Sequence, residues 1–172
     1  MALAWITGAN GLIGNYLVRT AAQCAPDWKV RGLTRADFDL TDFDTLRRAF
    51  KQQKPDLVIH CAALTKNPVC QANPSLAKSL NVEVTKELAG LSENVPFVFF
   101  STDLVFDGRQ GNYSEGATVN PLSVYAETKA VAEEMVLRNP KHTVIRTSLN
   151  GGTSLTGDRG FNEEMRRAWQ EG

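Results

Sequence analysis

A chain of 172 residues with 42% hydrophobic and 22% charged side chains has the composition of one ordinary globular domain. Its 19 Lys and Arg balance its 19 Asp and Glu, so no global field of either sign is available to gather nucleic acid or an acidic membrane. The apolar runs at 56–59 and 95–100 fall far short of the roughly 20 residues a membrane helix needs, and no basic segment precedes the first apolar run. Cys24, Cys61 and Cys70 are odd in number and lack metal-ligand or CxxC spacing. These features predict a cytoplasmic protein with reduced packing cysteines, no metal, no nucleic acid and no membrane.

Along the chain, short apolar runs alternate with amphipathic stretches. Ala2–Thr7 reads as a buried strand, and Leu12–Gln23 as a helix with Leu12, Ile13, Leu17 and Val18 near helical spacing. Lys29–Thr34 is a second strand. Asp42–Gln53 is a helix with Phe43, Leu46, Ala49 and Phe50 on one face and Asp42 as its cap. Asp56–His60 is a third strand. Pro74–Ser92 reads as one long helix opening on Pro, where a missing N–H costs nothing. Phe97–Ser101 is a fourth strand, Val124–Arg138 a helix, His142–Arg146 a fifth strand and Gly160–Gln170 a last helix. The aperiodic stretch Asp107–Leu122, with Gly108, Gly111, Gly116 and Pro121, is a loop at the carboxyl end of the fourth strand, where such sheets build ligand sites. Strand and helix in alternation predict an α/β fold: a doubly wound parallel sheet of the NAD(P)-binding Rossmann class. Residues 1–172 are expected to form one dinucleotide-binding domain, with its core in 1–150 and a following substrate domain missing.

Thr7-Gly8-Ala9-Asn10-Gly11-Leu12-Ile13-Gly14 follows the first strand and opens the first helix. Gly8 suits the tight turn, Gly11 lets a pyrophosphate approach the backbone, and Gly14 lets helix and strand pack. The helix N-terminus then offers free N–H groups and about half a positive charge to phosphate. The second strand ends in Leu33-Thr34-Arg35, with no carboxylate until Asp37 to accept the ribose hydroxyls of NAD. Arg35 could instead pair with a 2′-phosphate, so NADP(H) is favoured over NAD(H). Asp39 and Leu40, next in the chain, join the expected cofactor contacts.

Tyr125-Ala126-Glu127-Thr128-Lys129 places a phenol and an ammonium four residues apart, on one helix face. The expectation is that Lys129 lowers the phenol pKa from about 10 and also holds a ribose. Ser101-Thr102-Asp103 ends the fourth strand, where a hydroxyl could polarise a substrate carbonyl while Tyr125 delivers the proton. His60 is expected to pack or to hydrogen-bond within the fold.

TGANGLIG, DLTD, the HCAA of 60–63, SLNVE with Asn81, STDLVFDG, GNYSE, PLSVYAETK and RTS stand in one order over residues 1–150. Together they resemble the dTDP-4-dehydrorhamnose reductase family of extended short-chain dehydrogenases. The resemblance implies hydride transfer from a nicotinamide to C4 of a 4-keto-6-deoxy sugar nucleotide. It implies a catalytic trio of Thr102, Tyr125 and Lys129, a phosphate loop at Gly11, Leu12 and Ile13, cofactor contacts at Ala62, Ala63 and Thr65, and substrate contacts at Thr102 and Asp103. Leu104 and Leu149 stand where that family usually has Tyr and Trp. A homodimer is left open. Two alternatives stay open: an epimerase or dehydratase of nucleotide sugars, and an NADP-binding regulatory subunit resembling the beta subunit of methionine adenosyltransferase.

Overall fold

The computed structural model describes residues 1–148, together with 151, 165–166 and 168–170. Five parallel strands, β1 (Ala2–Thr7), β2 (Trp28–Leu33), β3 (Leu57–His60), β4 (Phe97–Thr102) and β5 (Thr143–Thr147), form one sheet in the order β2-β1-β3-β4-β5. The connections carry α1 (Leu12–Cys24), α2 (Phe43–Gln53), α3 (Asn67–Ala72), α4 (Pro74–Lys78), α5 (Val84–Leu91) and α6 (Val124–Val136). This is the doubly wound arrangement that the alternation predicts. From β1 the chain runs outward to β2, then returns to β3 on the other side. The strand order therefore switches between β1 and β3, and a crevice opens outside their carboxyl ends.

The core lies between sheet and helices. Trp5, Leu33, Leu46, Val58, Val84, Leu88, Phe97, Phe99 and Val136 form one buried cluster. Trp5 is fully enclosed, edge-on to Phe50 at 5.5 Å, and its indole N–H donates to Gln53 at 3.0 Å. The large ring thus enters the core with its polar atom satisfied. α2 begins where expected because the Asp42 carboxylate accepts from the Thr45 N–H at 3.1 Å.

The helix expected over 74–92 is not uniform. α4 and α5 are joined by a π-helical turn, Ser79–Glu83, which carries the buried Asn81. The short α3, with Pro68 in its first turn, carries too little periodicity to be foreseen. A 3-10 turn, Asp103–Val105, precedes the loop of 107–122. The helix expected over 160–170 lies largely outside the described residues, of which 165–166 and 168–170 are helical. No helix among the described residues is long and apolar enough to cross a membrane.

Candidate active site at the carboxyl ends of the strands

β1 hands over to α1 through a turn that only glycine fits. Gly8 has φ +68°, and a Cβ there would lie 2.7–2.9 Å from the backbone of Cys61 and Ala62. A Cβ on Gly14 would lie 2.4 Å from the Gly8 carbonyl oxygen, so helix and turn touch backbone to backbone. Gly11 differs: its Cβ would meet the Gly8 oxygen alone, at 3.1 Å. The Gly11 N–H donates to that oxygen at 2.8 Å, which closes the turn. Gly11 caps α1 without a side-chain bond, and the first turn holds no acidic residue. The amides that follow Gly11, those of Leu12 and Ile13 among them, therefore face no competing anion from their own helix. Asn15, one residue beyond Gly14, has a buried Nδ2 without a partner among the described residues. This donor set and the open side of Gly11 fit a dinucleotide pyrophosphate.

At the end of β2 the carboxylates are engaged. Asp37 accepts from the Thr34 N–H and hydroxyl, both at 2.9 Å, and lies 3.6 Å from Arg31. The Thr34 backbone bond leads in holding its pKa down. Asp39 is bonded in the same way to Thr41. Leu40 turns inward against the core, and Arg35 is exposed at the strand's end.

The segment after β3, with Ala62, Ala63 and Thr65, is clamped from two sides. The Ala62 N–H donates to Thr7 Oγ1 at 3.3 Å. Asn81 holds the Leu64 N–H at 2.7 Å and its carbonyl at 3.1 Å, and reaches Thr128 on α6 at 3.0 Å. His60 sits beneath, bonded to Thr7 through Nδ1 at 2.7 Å and to Thr85 through Nε2 at 3.1 Å. Because the Thr85 hydroxyl donates to the Asn81 carbonyl, His60 Nε2–H must donate to Thr85 and Nδ1 must accept from Thr7. Burial, with the Lys129 charge added, pushes the His60 pKa down to about 3. His60 is a neutral packing residue, as the sequence suggests.

β4 ends at Thr102, and α6 brings Tyr125 to it. Ser123 caps α6 by accepting from the Ala126 N–H at 3.3 Å. Tyr125 and Lys129 leave the same face, yet their polar ends diverge. Lys129, 2% exposed, donates to the Phe100 carbonyl at 2.6 Å and lies 3.8 Å from the centre of the Phe99 ring. Burial pushes its pKa down to about 7, with Glu133 and Cys61 opposing. Burial raises the Tyr125 pKa overall, and the neighbouring Thr102 hydroxyl opposes this. The expected lowering of the phenol by Lys129 is thus not what the structure has, because the ammonium is turned toward β4. Thr102 Oγ1 donates to Asp103 at 3.3 Å and accepts from the Leu104 N–H at 3.2 Å, and Asp103 is exposed.

The three cysteines are free, and burial pushes Cys61 up to about 12. Sequence reasoning missed Asn81 as a clamp and passed over the buried pair of Glu133 and Arg146, joined at 2.7 Å. The spacing of Glu133 from Lys129, four residues apart on a helix whose other positions there are mostly small or apolar, was the available signal. Leu149 lies outside the described residues.

The sequence profile of the family described as RmlD substrate binding domain matches residues 2–171. The dTDP-4-dehydrorhamnose reductase of Aggregatibacter actinomycetemcomitans is 33% identical over 156 residues, covering 88% of this chain and 53% of that protein. The methionine adenosyltransferase 2 subunit beta of Danio rerio is 32% identical over 152 residues, covering 84% of this chain and 46% of that protein. Among solved structures, the dTDP-4-dehydrorhamnose reductase of Bacillus anthracis in complex with NADP superposes with a TM-score of 0.87 at 27% identity, over 100% of this chain and 61% of that one. The chain spans about half the length of the curated relatives it matches. With the glycine turn, the neighbouring Thr102 and Tyr125 and the sheet order in place, the chain belongs to the RmlD family of extended short-chain dehydrogenases.

Proposed function

We propose that the chain is the cofactor-binding domain of a cytoplasmic, NADPH-dependent reductase of a 4-keto-6-deoxy sugar nucleotide, with a substrate domain elsewhere in the full-length protein. The observation that carries this reading is the half-buried Tyr125 phenol facing the Thr102 hydroxyl, with the buried Lys129 on the same helix, at the end of β4.

In this reading the amides after Gly11, with Leu12 and Ile13, hold the pyrophosphate, and Gly8 and Gly14 shape the turn that presents them. Arg35 pairs with the 2′-phosphate, with Asp39 and Leu40 beside it, and Ala62, Ala63 and Thr65 run along the ribose and pyrophosphate. Lys129 holds the nicotinamide ribose. When bound, the reduced cofactor supplies a hydride. Thr102, with Asp103 next to it, hydrogen-bonds the substrate carbonyl oxygen and draws charge onto it. As that oxygen becomes an alkoxide, Tyr125 donates its phenolic proton, and a secondary alcohol results. A raised pKa suits this direction, since the phenol must still hold its proton at neutral pH.

The test is NADPH oxidation by the full-length protein with dTDP-4-keto-rhamnose. Stoichiometric loss of NADPH with formation of the alcohol is the expected result. Isomerised substrate without net NADPH loss would support an epimerase. The similarity to a methionine adenosyltransferase beta subunit carries the second reading, a regulatory subunit. NADPH binding without oxidation of any keto-sugar nucleotide, together with co-purification of a catalytic partner, would overturn the reductase in its favour.

A further inference from the structure

Glu133 is 2% exposed on α6, one helical turn beyond Lys129. Arg146 on β5 grips its carboxylate with Nε at 3.1 Å from both oxygens and Nη2 at 2.7 Å. The remaining guanidinium nitrogen, Nη1, donates to the Glu115 carbonyl at 3.0 Å, inside the loop of 107–122. The same guanidinium lies 5.0 Å from the Phe106 ring, and Phe106 stacks on Tyr113 at 4.3 Å. The Tyr113 hydroxyl donates to Asp107, which also accepts from Asn120 Nδ2 at 3.0 Å and from the Arg109 N–H at 3.1 Å. One side chain therefore ties together the helix of Tyr125 and Lys129, strand β5, and the loop that follows Thr102.

A buried ion pair is a poor device for stability, because desolvating both ions offsets most of their attraction. This pair has a second neighbour to act on. Lys129 faces Glu133 on its own helix, His60 and Cys61 at the end of β3, and the Phe99 ring and Phe100 carbonyl of β4, with Arg146 of β5 behind Glu133. Burial keeps His60 and Cys61 neutral at neutral pH. The carboxylate that favours the ammonium is Glu133, and the Arg146 guanidinium paired with it at 2.7 Å offsets part of its charge.

We propose that Glu133 and Arg146 are positioning residues for the reaction, setting the charge carried by Lys129 while holding the loop of 107–122 against α6 and β5. The inference rests on the reading above, in which Lys129 works at the cofactor. It gives the two residues opposite electrostatic signs and the same mechanical sign. Glu133→Gln removes the anion and leaves the guanidinium, so Lys129 loses its proton more easily. Arg146→Met leaves the carboxylate uncompensated, so Lys129 holds its proton more tightly. Both variants release the loop.

The experiment titrates Lys129 by NMR in the full-length protein with isotope-labelled lysine, the signal being assigned with Lys129→Met. Amide exchange of Asn120, bonded to the Val105 carbonyl at 2.8 Å, reports the loop. The expected result is a Lys129 titration displaced by about one pH unit downward in Glu133→Gln and upward in Arg146→Met, with faster Asn120 exchange in both. The pH profile of turnover should move with the titration. Should a single variant fail to fold, the double variant Glu133→Gln with Arg146→Met buries a neutral pair. Its Lys129 should titrate below wild type and above Glu133→Gln. Displacement of both single variants in one direction, no displacement, or a double variant at or above wild type would overturn the proposal. If no form of the protein turns over a keto-sugar nucleotide, the reductase reading fails, and the titration and exchange still decide the electrostatic and mechanical roles of the pair.

Discussion

Replacing Gly8 and Gly11 one at a time should separate the part of the phosphate loop that holds the fold from the part that meets the cofactor. Gly8→Ala forces an L side chain into φ +68°, which costs about 1–2 kcal/mol, and sets its Cβ within 3 Å of three backbone atoms of Cys61 and Ala62. Backbone cannot rotate away, so overpacking adds about 1–3 kcal/mol, for a total of about 2–5 kcal/mol. Gly11→Val keeps an extended φ of −77° that any residue adopts, and its Cβ needs only a few tenths of an ångström from the Gly8 oxygen. Its cost is about 1 kcal/mol, the loss of a favoured cap residue. The added methyl groups occupy the open side where the pyrophosphate must approach, so NADPH affinity should fall tenfold or more. Urea unfolding at constant slope measures the first quantity, and a fluorescence titration of NADPH against the folded fraction measures the second. The reasoning fails if Gly11→Val is as destabilised as Gly8→Ala, or if it binds NADPH as wild type does.

Arg35→Ala should weaken NADPH binding tenfold or more and leave NADH binding nearly unchanged, since its partner is the 2′-phosphate alone; equal losses in parallel titrations would remove that role. His60, held near 3 in the fold against 6.5 when free, takes up its proton first in the unfolded chain, so its share of stability is complete above 6.5 and is lost as pH falls. Between 6.5 and about 5 the chain should lose about 2 kcal/mol by urea titration, before the carboxylates begin to take up protons; a flat profile there would contradict a buried neutral His60. Lys129→Met should damage both turnover and cofactor binding, whereas Thr102→Val should lower turnover with little change in NADPH affinity; the reverse pattern in steady-state kinetics would exchange their roles.

Features that depend on neighbours in the chain were legible from the sequence. The glycine turn, the Asp42 cap and the five strands rest on local chemistry, and their ends fall within one or two residues of expectation. Features that depend on distant partners were hidden. His60 meets Thr7 across 53 positions, and Asn81 meets Thr128 across 47. The π-helical turn at Ser79–Glu83 carries Asn81 between the β3 loop and α6, a tertiary demand that helical periodicity does not encode. The i,i+4 rule put Tyr125 and Lys129 on one face, but it could not say that a β4 carbonyl would take the ammonium. For the same reason, nothing in the sequence pairs Glu133 with Arg146, 13 residues later.

The central claim is that Tyr125 gives the proton. Its most direct test is Tyr125→Phe in the full-length protein, with turnover of a 4-keto sugar nucleotide and the dissociation constant of NADPH measured on the same preparation. The phenolic proton is needed only as charge develops on the substrate oxygen, so its loss belongs to the transition state. Turnover should fall by about 10²–10⁴, and NADPH affinity should stay within about twofold of wild type. Full turnover by Tyr125→Phe on a keto-sugar nucleotide that the wild type reduces would contradict the assignment.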